Sequence, residues 1–226
     1  NTIQWPVPIP KDAGLNLIRI EMLNLGAEYA WLDVLCLRQL GGLGEHLRVE
    51  EWKTDVPTIG AVYREAPVVC YFSGLGRPLS FKDGDFESDR CWFNRAWTLQ
   101  EIPKDEPKIG GETGDDGMMD EEGLFKFKEK LGSLRQMRLG DFGESLFTIL
   151  PHMQKRISTN PVDRVAGLVF LLYSDGIPKH DATQSEEDAW VALVNVLDVY
   201  RCGELFLLYP EPGTGKKHWR PTWEQI

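Results

Sequence analysis

A chain of 226 residues with 42% hydrophobic and 27% charged residues has the composition of an ordinary globular protein and can bury a substantial core. Its formal net charge of -10 argues against a broad nucleic-acid or anionic-membrane surface and leaves room only for a local basic pocket. No apolar run approaches the roughly 20 residues that span a bilayer, so no membrane span is expected.

The chain opens on Asn1, without an initiator Met or a signal peptide, which predicts an excerpt of something longer. Trp5 to Pro10 carries three prolines and cannot be an interior strand, because each proline removes a ladder donor. Asp12 is placed to cap a helix running to about Leu25, with Leu15, Ile18, Met22 and Leu25 on one face and Gly26 as the stop. Tyr29 to Leu37 is apolar except for Asp33 and reads as a buried strand. After a Gly-rich loop (Leu40 to Gly44), a helix is predicted from about Pro57 to Glu65, with Ile59, Val62 and Tyr63 inward. Val68 to Phe72 reads as a second buried strand, ended by Ser73-Gly74-Leu75-Gly76.

The polar loop Lys82 to Asp89 leads into the stretch Cys91 to Ile102. Its spacing predicts one helix, with Trp92, Ala96 and Leu99 as a core stripe and Trp97 and Glu101 one turn apart on one face. Pattern alone leaves two readings of Glu101 open: a helix-end carboxylate paired with an arginine, or a functional group in a cleft. The order helix, strand, helix, strand, helix implies a parallel α/β sheet. Ligands collect at the carboxyl ends of such strands, which places Asp33, Arg38, the turn at Arg77 and the central helix near one edge. Asp33 also has a bland reading, as a strand-end acceptor for loop amides.

Lys104 to Glu122 is acidic and aperiodic and reads as a mobile loop. Helices are predicted again over Gly123 to Leu134 and Ser145 to Ile157. Another starts at Asn160-Pro161 with Asn160 as cap and Val165, Leu168, Val169 and Leu172 buried, and one more covers Glu186 to Tyr200. Glu204 to Tyr209 reads as a short strand. The expected division is therefore 1–103, an α/β core; 104–122, the acidic loop; and 123–226, a mainly helical C-terminal part.

Gly74-Leu75-Gly76 lacks the context of a dinucleotide fingerprint, and no Walker A, HExxH or GxSxG sequence is present. His46, His152, His180 and His218 are far apart in sequence, and Cys36, Cys70, Cys91 and Cys202 lack ligand spacing, so no metal is expected. Cys36 and Cys70 fall in apolar runs and are expected as buried, reduced thiols in a cytoplasmic setting.

Three blocks together resemble the fungal heterokaryon-incompatibility (HET) domain: Tyr29 to Gln39, Ile59 to Ala66 running into the Val68 strand, and Arg95-Ala-Trp-Thr-Leu-Gln-Glu101. Asn160 to Ala166 and Pro221-Thr-Trp223 are similar to that family's downstream segments, whereas its usual opening strand is absent before Trp5. HET domains in turn are similar to TIR domains, in which a strand ending Asp-Val and a Trp-x-x-x-Glu helix hold an NAD+-cleaving site. Leu32-Asp33-Val34 and Trp97 to Glu101 stand in the corresponding places. The resemblance, two steps long, implies a flavodoxin-like parallel sheet flanked by helices and an effector of incompatibility cell death. It implies that NAD+ is a substrate rather than a cofactor, cleaved with Glu101 as the catalytic residue. Asp33, Arg38, Arg77, Arg95 and Trp97 are then the substrate-binding candidates, the arginines serving the diphosphate. Self-association on activation and an incompatibility partner protein are also implied. The competing class is a non-enzymatic self-association module of the same pathway.

Overall fold

The computed structural model describes residues 5–103, 107–112, 119–138 and 145–226. Residues 5–10 run as an irregular lead-in, as their prolines require. Helix α1 (Leu15–Asn24) follows Gly14 and has no side-chain cap; Asp12, expected as that cap, instead accepts from Arg77 Nη2 at 2.7 Å. Gly26 ends the helix with a left-handed φ of 61°.

The strand expected over Tyr29 to Leu37 is not formed. Asp33–Cys36 is a single helical turn, α2, and Tyr29 and Cys36 are exposed. The cause is local. Asp33 Oδ1 takes the Val34 amide at 2.7 Å, and the Cys36 amide bonds Leu32 O at 2.8 Å, so the backbone is satisfied without a neighbouring strand. Helix α3 (Arg48–Asp55) runs through a 3₁₀ turn at Val56–Thr58 into α4 (Ile59–Glu65), close to the predicted span.

Strand β1 (Val69–Cys70) is shorter than the apolar run that signals it, and pairs in parallel with β2 (Lys108–Ile109) in the register Val69↔Lys108, Cys70↔Ile109. The parallel sheet among the described residues is this two-stranded pair. β2 lies inside the stretch read as a mobile loop. There Gly110 N donates to Cys70 O at 3.0 Å, and Leu79 N donates to Gly111 O at 2.9 Å. Residues 104–106 and 113–118 of that stretch lie outside the described residues.

The C-terminal part is helical: α5 (Glu121–Arg138), α6 (Leu146–Gln154), α7 (Val162–Ala166), α8 (Glu186–Val194) and α9 (Val199–Leu207). The residue before the first turn of α7 is Pro161, and Asn160 contributes its carbonyl to the Asp163 amide at 3.0 Å rather than a side-chain cap. Glu204 to Tyr209, expected as a strand, belongs largely to α9. Asp198 Oδ1 accepts from Arg201 N at 2.8 Å and starts the helix, and a short apolar run carries no period that separates the two outcomes. Among the described residues no helix is long and apolar enough to cross a membrane.

One core cluster takes residues from Cys70 to Leu205, so both sides of the 104–122 stretch share an interior. Phe72 is its aromatic hub, 4.7 Å from Trp92, 5.3 Å from Phe93 and 5.0 Å from Phe127 between ring centroids. A smaller cluster holds Leu37, Val56 and Ile59 with Trp31, Trp52, Tyr63 and Trp97 packed on it. Gly60 makes the join. A Cβ there would lie 2.5 Å from Phe170 Cδ2 and 2.7 Å from Gln100 Oε1. Gly60→Ala is expected to cost about 1–3 kcal/mol by overpacking, read as a lower urea midpoint at unchanged slope.

Candidate functional site

The segment Cys91 to Ile102 is not one helix. It forms two 3₁₀ turns, Trp92–Asn94 and Trp97–Leu99, with Arg95 extended between them. The carbonyls that a continuous helix would use are taken by other donors. Thr98 Oγ1 lies 2.5 Å from Trp92 O and 2.8 Å from Arg95 O. Arg156 Nη1 donates to Arg95 O at 2.6 Å and to Thr98 Oγ1 at 2.7 Å. Arg95 pairs with Ile157 in a parallel bridge, Ile157 N donating to Asn94 O at 2.6 Å and Ala96 N to Ile157 O at 2.9 Å. Side-chain and bridge bonds thus outcompete the helical ladder.

This geometry sets Glu101. Trp92 Nε1 donates to Glu101 Oε2 at 2.7 Å, and Cys70 Sγ lies 3.8 Å from the Glu101 carbonyl. The residue is half-buried, and its carboxylate sits in a desolvated spot. That burial pushes the carboxyl above its ordinary 4.5. The Trp92 hydrogen bond and the charges of Arg95 and Arg156 pull the other way, while Asp33 adds to the rise. Arg156, only 4% exposed, lies over the Trp92 ring at 5.8 Å, and burial lowers it to about 10. Asp33 and Arg95 are both exposed, so the cluster opens to the surface.

Of the residues the sequence singles out, Asp33 and Arg95 are each within electrostatic reach of Glu101. Trp97 is half-buried in the small core, 6.4 Å from the His180 ring. Arg38 is engaged elsewhere: Glu51 holds it through bonds of 2.7 and 3.0 Å, and Leu43 O accepts from it at 3.0 Å. Arg77 is tied to Asp12. Neither Arg38 nor Arg77 joins Glu101.

Two residues of the cluster escape a sequence reading. Tyr63 stands on the inward face of α4, and its phenol is pushed up by burial and by the Glu101 and Asp33 carboxylates. The available signal was an inward tyrosine, whose hydroxyl needs a place to go. Arg156 follows α6 and reads as an ordinary cation at a helix C-terminus. A separate cavity of about 20 Å³, room for one water, lies among Val162, Val165, Leu193 and His180. Among the described residues no group of three or more His, Cys, Asp or Glu could hold a metal ion. No family model, curated protein or solved structure matches the chain.

A carboxyl whose folded pKa lies above its unfolded value contributes stability that is full below about 4.5 and is lost as pH rises through the folded value. Glu101→Gln keeps an acceptor for Trp92 and removes the desolvated charge. It is therefore expected to melt no lower than the wild type at neutral pH, with its advantage shrinking in acid; thermal melting across pH checks this. Arg156→Met removes a buried donor from Arg95 O and Thr98 Oγ1 and is expected to cost about 1–3 kcal/mol in urea unfolding.

Proposed function

We propose that this chain is a TIR-like HET effector domain that cleaves NAD+ at the nicotinamide–ribose bond, with Glu101 as its catalytic carboxylate. The observation that carries the reading is the convergence of Asp33, Arg95 and Glu101, from two distant segments that resemble the family, on one surface-opening cluster. Water adds to C1′ as the C1′–N bond breaks, the bonding pair passes to the departing ring nitrogen, and the water proton goes to solvent. Nicotinamide leaves neutral and needs no acid, so the demand on the protein is a negative charge beside the oxocarbenium-like transition state. Glu101 supplies that charge. Arg95, exposed at the mouth, is the cation suited to the diphosphate. Arg38 is already paired, which leaves it no part in this scheme. The flavodoxin-like ancestry of the β1–β2 pair, cytoplasmic action, self-association on activation and an incompatibility partner belong to the same proposal.

A second reading, a non-enzymatic self-association module, has its own support. Helix α9 exposes the stripe Val199, Tyr200, Phe206 and Leu207, at 79%, 81%, 62% and 74%.

Incubation of the protein with NAD+ is expected to release nicotinamide. Glu101→Gln should slow that release by about 100-fold or more while folding normally. Because the ionised carboxylate is required, the rate should fall in acid with a midpoint above 4.5. Undiminished release or cell killing by Glu101→Gln would remove the enzymatic role in favour of the assembly reading.

A further inference from the structure

Helix α9 (Val199–Leu207) is turned inside out. Its two charged side chains face the interior, where Arg201 is buried and donates from Nη1 to Glu204 Oε2 at 2.7 Å. The same carboxylate oxygen accepts from Leu146 N at 3.1 Å, and Leu205 is buried on the Arg201 side of the helix. Val199, Tyr200, Phe206 and Leu207 point the other way and stand exposed. By helical spacing these four flank Gly203 on one face. The outward strip therefore carries no charge: an apolar pair at each end and bare backbone between them. Nothing within the chain's own packing calls for that glycine. A Cβ at Gly203 would meet nothing beyond its own helix within 4 Å, and glycine weakens a helix interior. Gly203 is thus the point at which a second backbone can come closest.

The face is symmetric about that point. Val199 and Tyr200 precede Gly203 by the same spacing at which Phe206 and Leu207 follow it, and each end offers one aliphatic and one aromatic side chain. An antiparallel copy crossing at Gly203 brings Val199 and Tyr200 of each helix against Phe206 and Leu207 of the other. That reciprocal exchange is the signature of a two-fold contact. The four side chains present on the order of 500 Å² per copy, so a pair would bury about 1,000 Å², the lower bound for a specific interface. A lipid surface is a poorer occupant. Helices that lie on one carry cations beside the apolar face, and the one cation of α9 is buried in an ion pair.

We infer that α9 is a dimer face of this protein, covered by α9 of a second copy that runs antiparallel and crosses at Gly203. The inference rests on the self-association reading above, not on NAD+ cleavage, and it names the surface and its partner. An interface of this size between two chains of net charge -10 holds weakly, and it tightens with salt as the mutual repulsion is screened.

Sedimentation equilibrium of the whole chain across micromolar concentrations, at low and high salt, tests this. The wild type should dimerise reversibly, more tightly at high salt. Gly203→Lys should melt no lower than the wild type, since the position has room for its Cβ, yet self-associate about tenfold more weakly or worse. Tyr200→Lys and Leu207→Glu alter exposed positions and should fold normally. Each alone should lose the dimer, and an equimolar mixture of the two should recover it, because the mixed pair sets the new ammonium against the new carboxylate. Loss in both without recovery on mixing overturns the antiparallel pairing. A dimer that all three substitutions leave intact removes α9 and keeps self-association through another face. A wild type that stays monomeric throughout, whether or not it binds phosphatidylserine vesicles through α9, overturns both.

Discussion

The buried guanidinium of Arg156 holds the segment on which the candidate site depends. From the end of α6 it donates to Arg95 O and Thr98 Oγ1 and covers the Trp92 ring, and the Arg95–Ile157 bridge runs beside it. These bonds compete with the helical ladder that Cys91 to Ile102 would otherwise form. They fold the stretch into two short turns, and the turns bring Trp92 Nε1 to the Glu101 carboxylate. A site in the N-terminal half is thus shaped by a cation from the C-terminal half. Stability and site geometry are coupled through one desolvated charge, which is strong only while every partner stays in place.

Around that clamp the two cores meet at Gly60 and at the second 3₁₀ turn. Gly60 allows α4 to touch Gln100, and Gln100 Nε2 in turn donates to Gly167 O at 2.7 Å, just past α7. Trp97 faces the small core and Leu99 the large one, so the second 3₁₀ turn joins both. Farther on, Glu186 and Glu187 at the start of α8 bind the chain's last residues: Trp223 N donates to Glu187 Oε2 at 2.7 Å, and Trp223 Nε1 to Glu186 Oε1 at 3.0 Å. Arg164 from α7 also donates to Glu186 Oε1, at 2.9 Å. The segments at Arg164 and Trp223 are therefore packing elements that meet at the start of α8.

Glu101 carries two opposing demands. Desolvation favours its proton, whereas the proposed role beside an oxocarbenium-like centre requires its charge. A bound cationic nicotinamide ring would tip that balance toward the carboxylate, because an opposite charge in a desolvated site lowers the pKa of an acid. A group with both demands is more costly to keep than a simple packing residue, and Trp92 offsets part of that cost with one hydrogen bond.

The sequence by itself determined the helices whose apolar period meets a start or stop residue: α1 up to Gly26, α4 after Pro57, α6 after Ser145, and the start of α8 at Glu186. It also singled out Asp33, a charge within an apolar run that needs a partner, and Glu101, a carboxylate placed just after Trp97. Tertiary structure decided the rest. Asp33 closed a local turn where an apolar run suggested a strand, and Asp198 started a helix where another did, since burial alone does not choose between the two. Lys108–Ile109 became a strand only because β1 offered it a partner. Arg38 and Arg77 were drawn off by Glu51 and Asp12, 13 and 65 residues away, while Arg156 arrived without a signal and Tyr63 with no more than its inward place on α4. Local pattern records which residues must be buried or capped; which distant donor meets which acceptor is settled only when the chain packs.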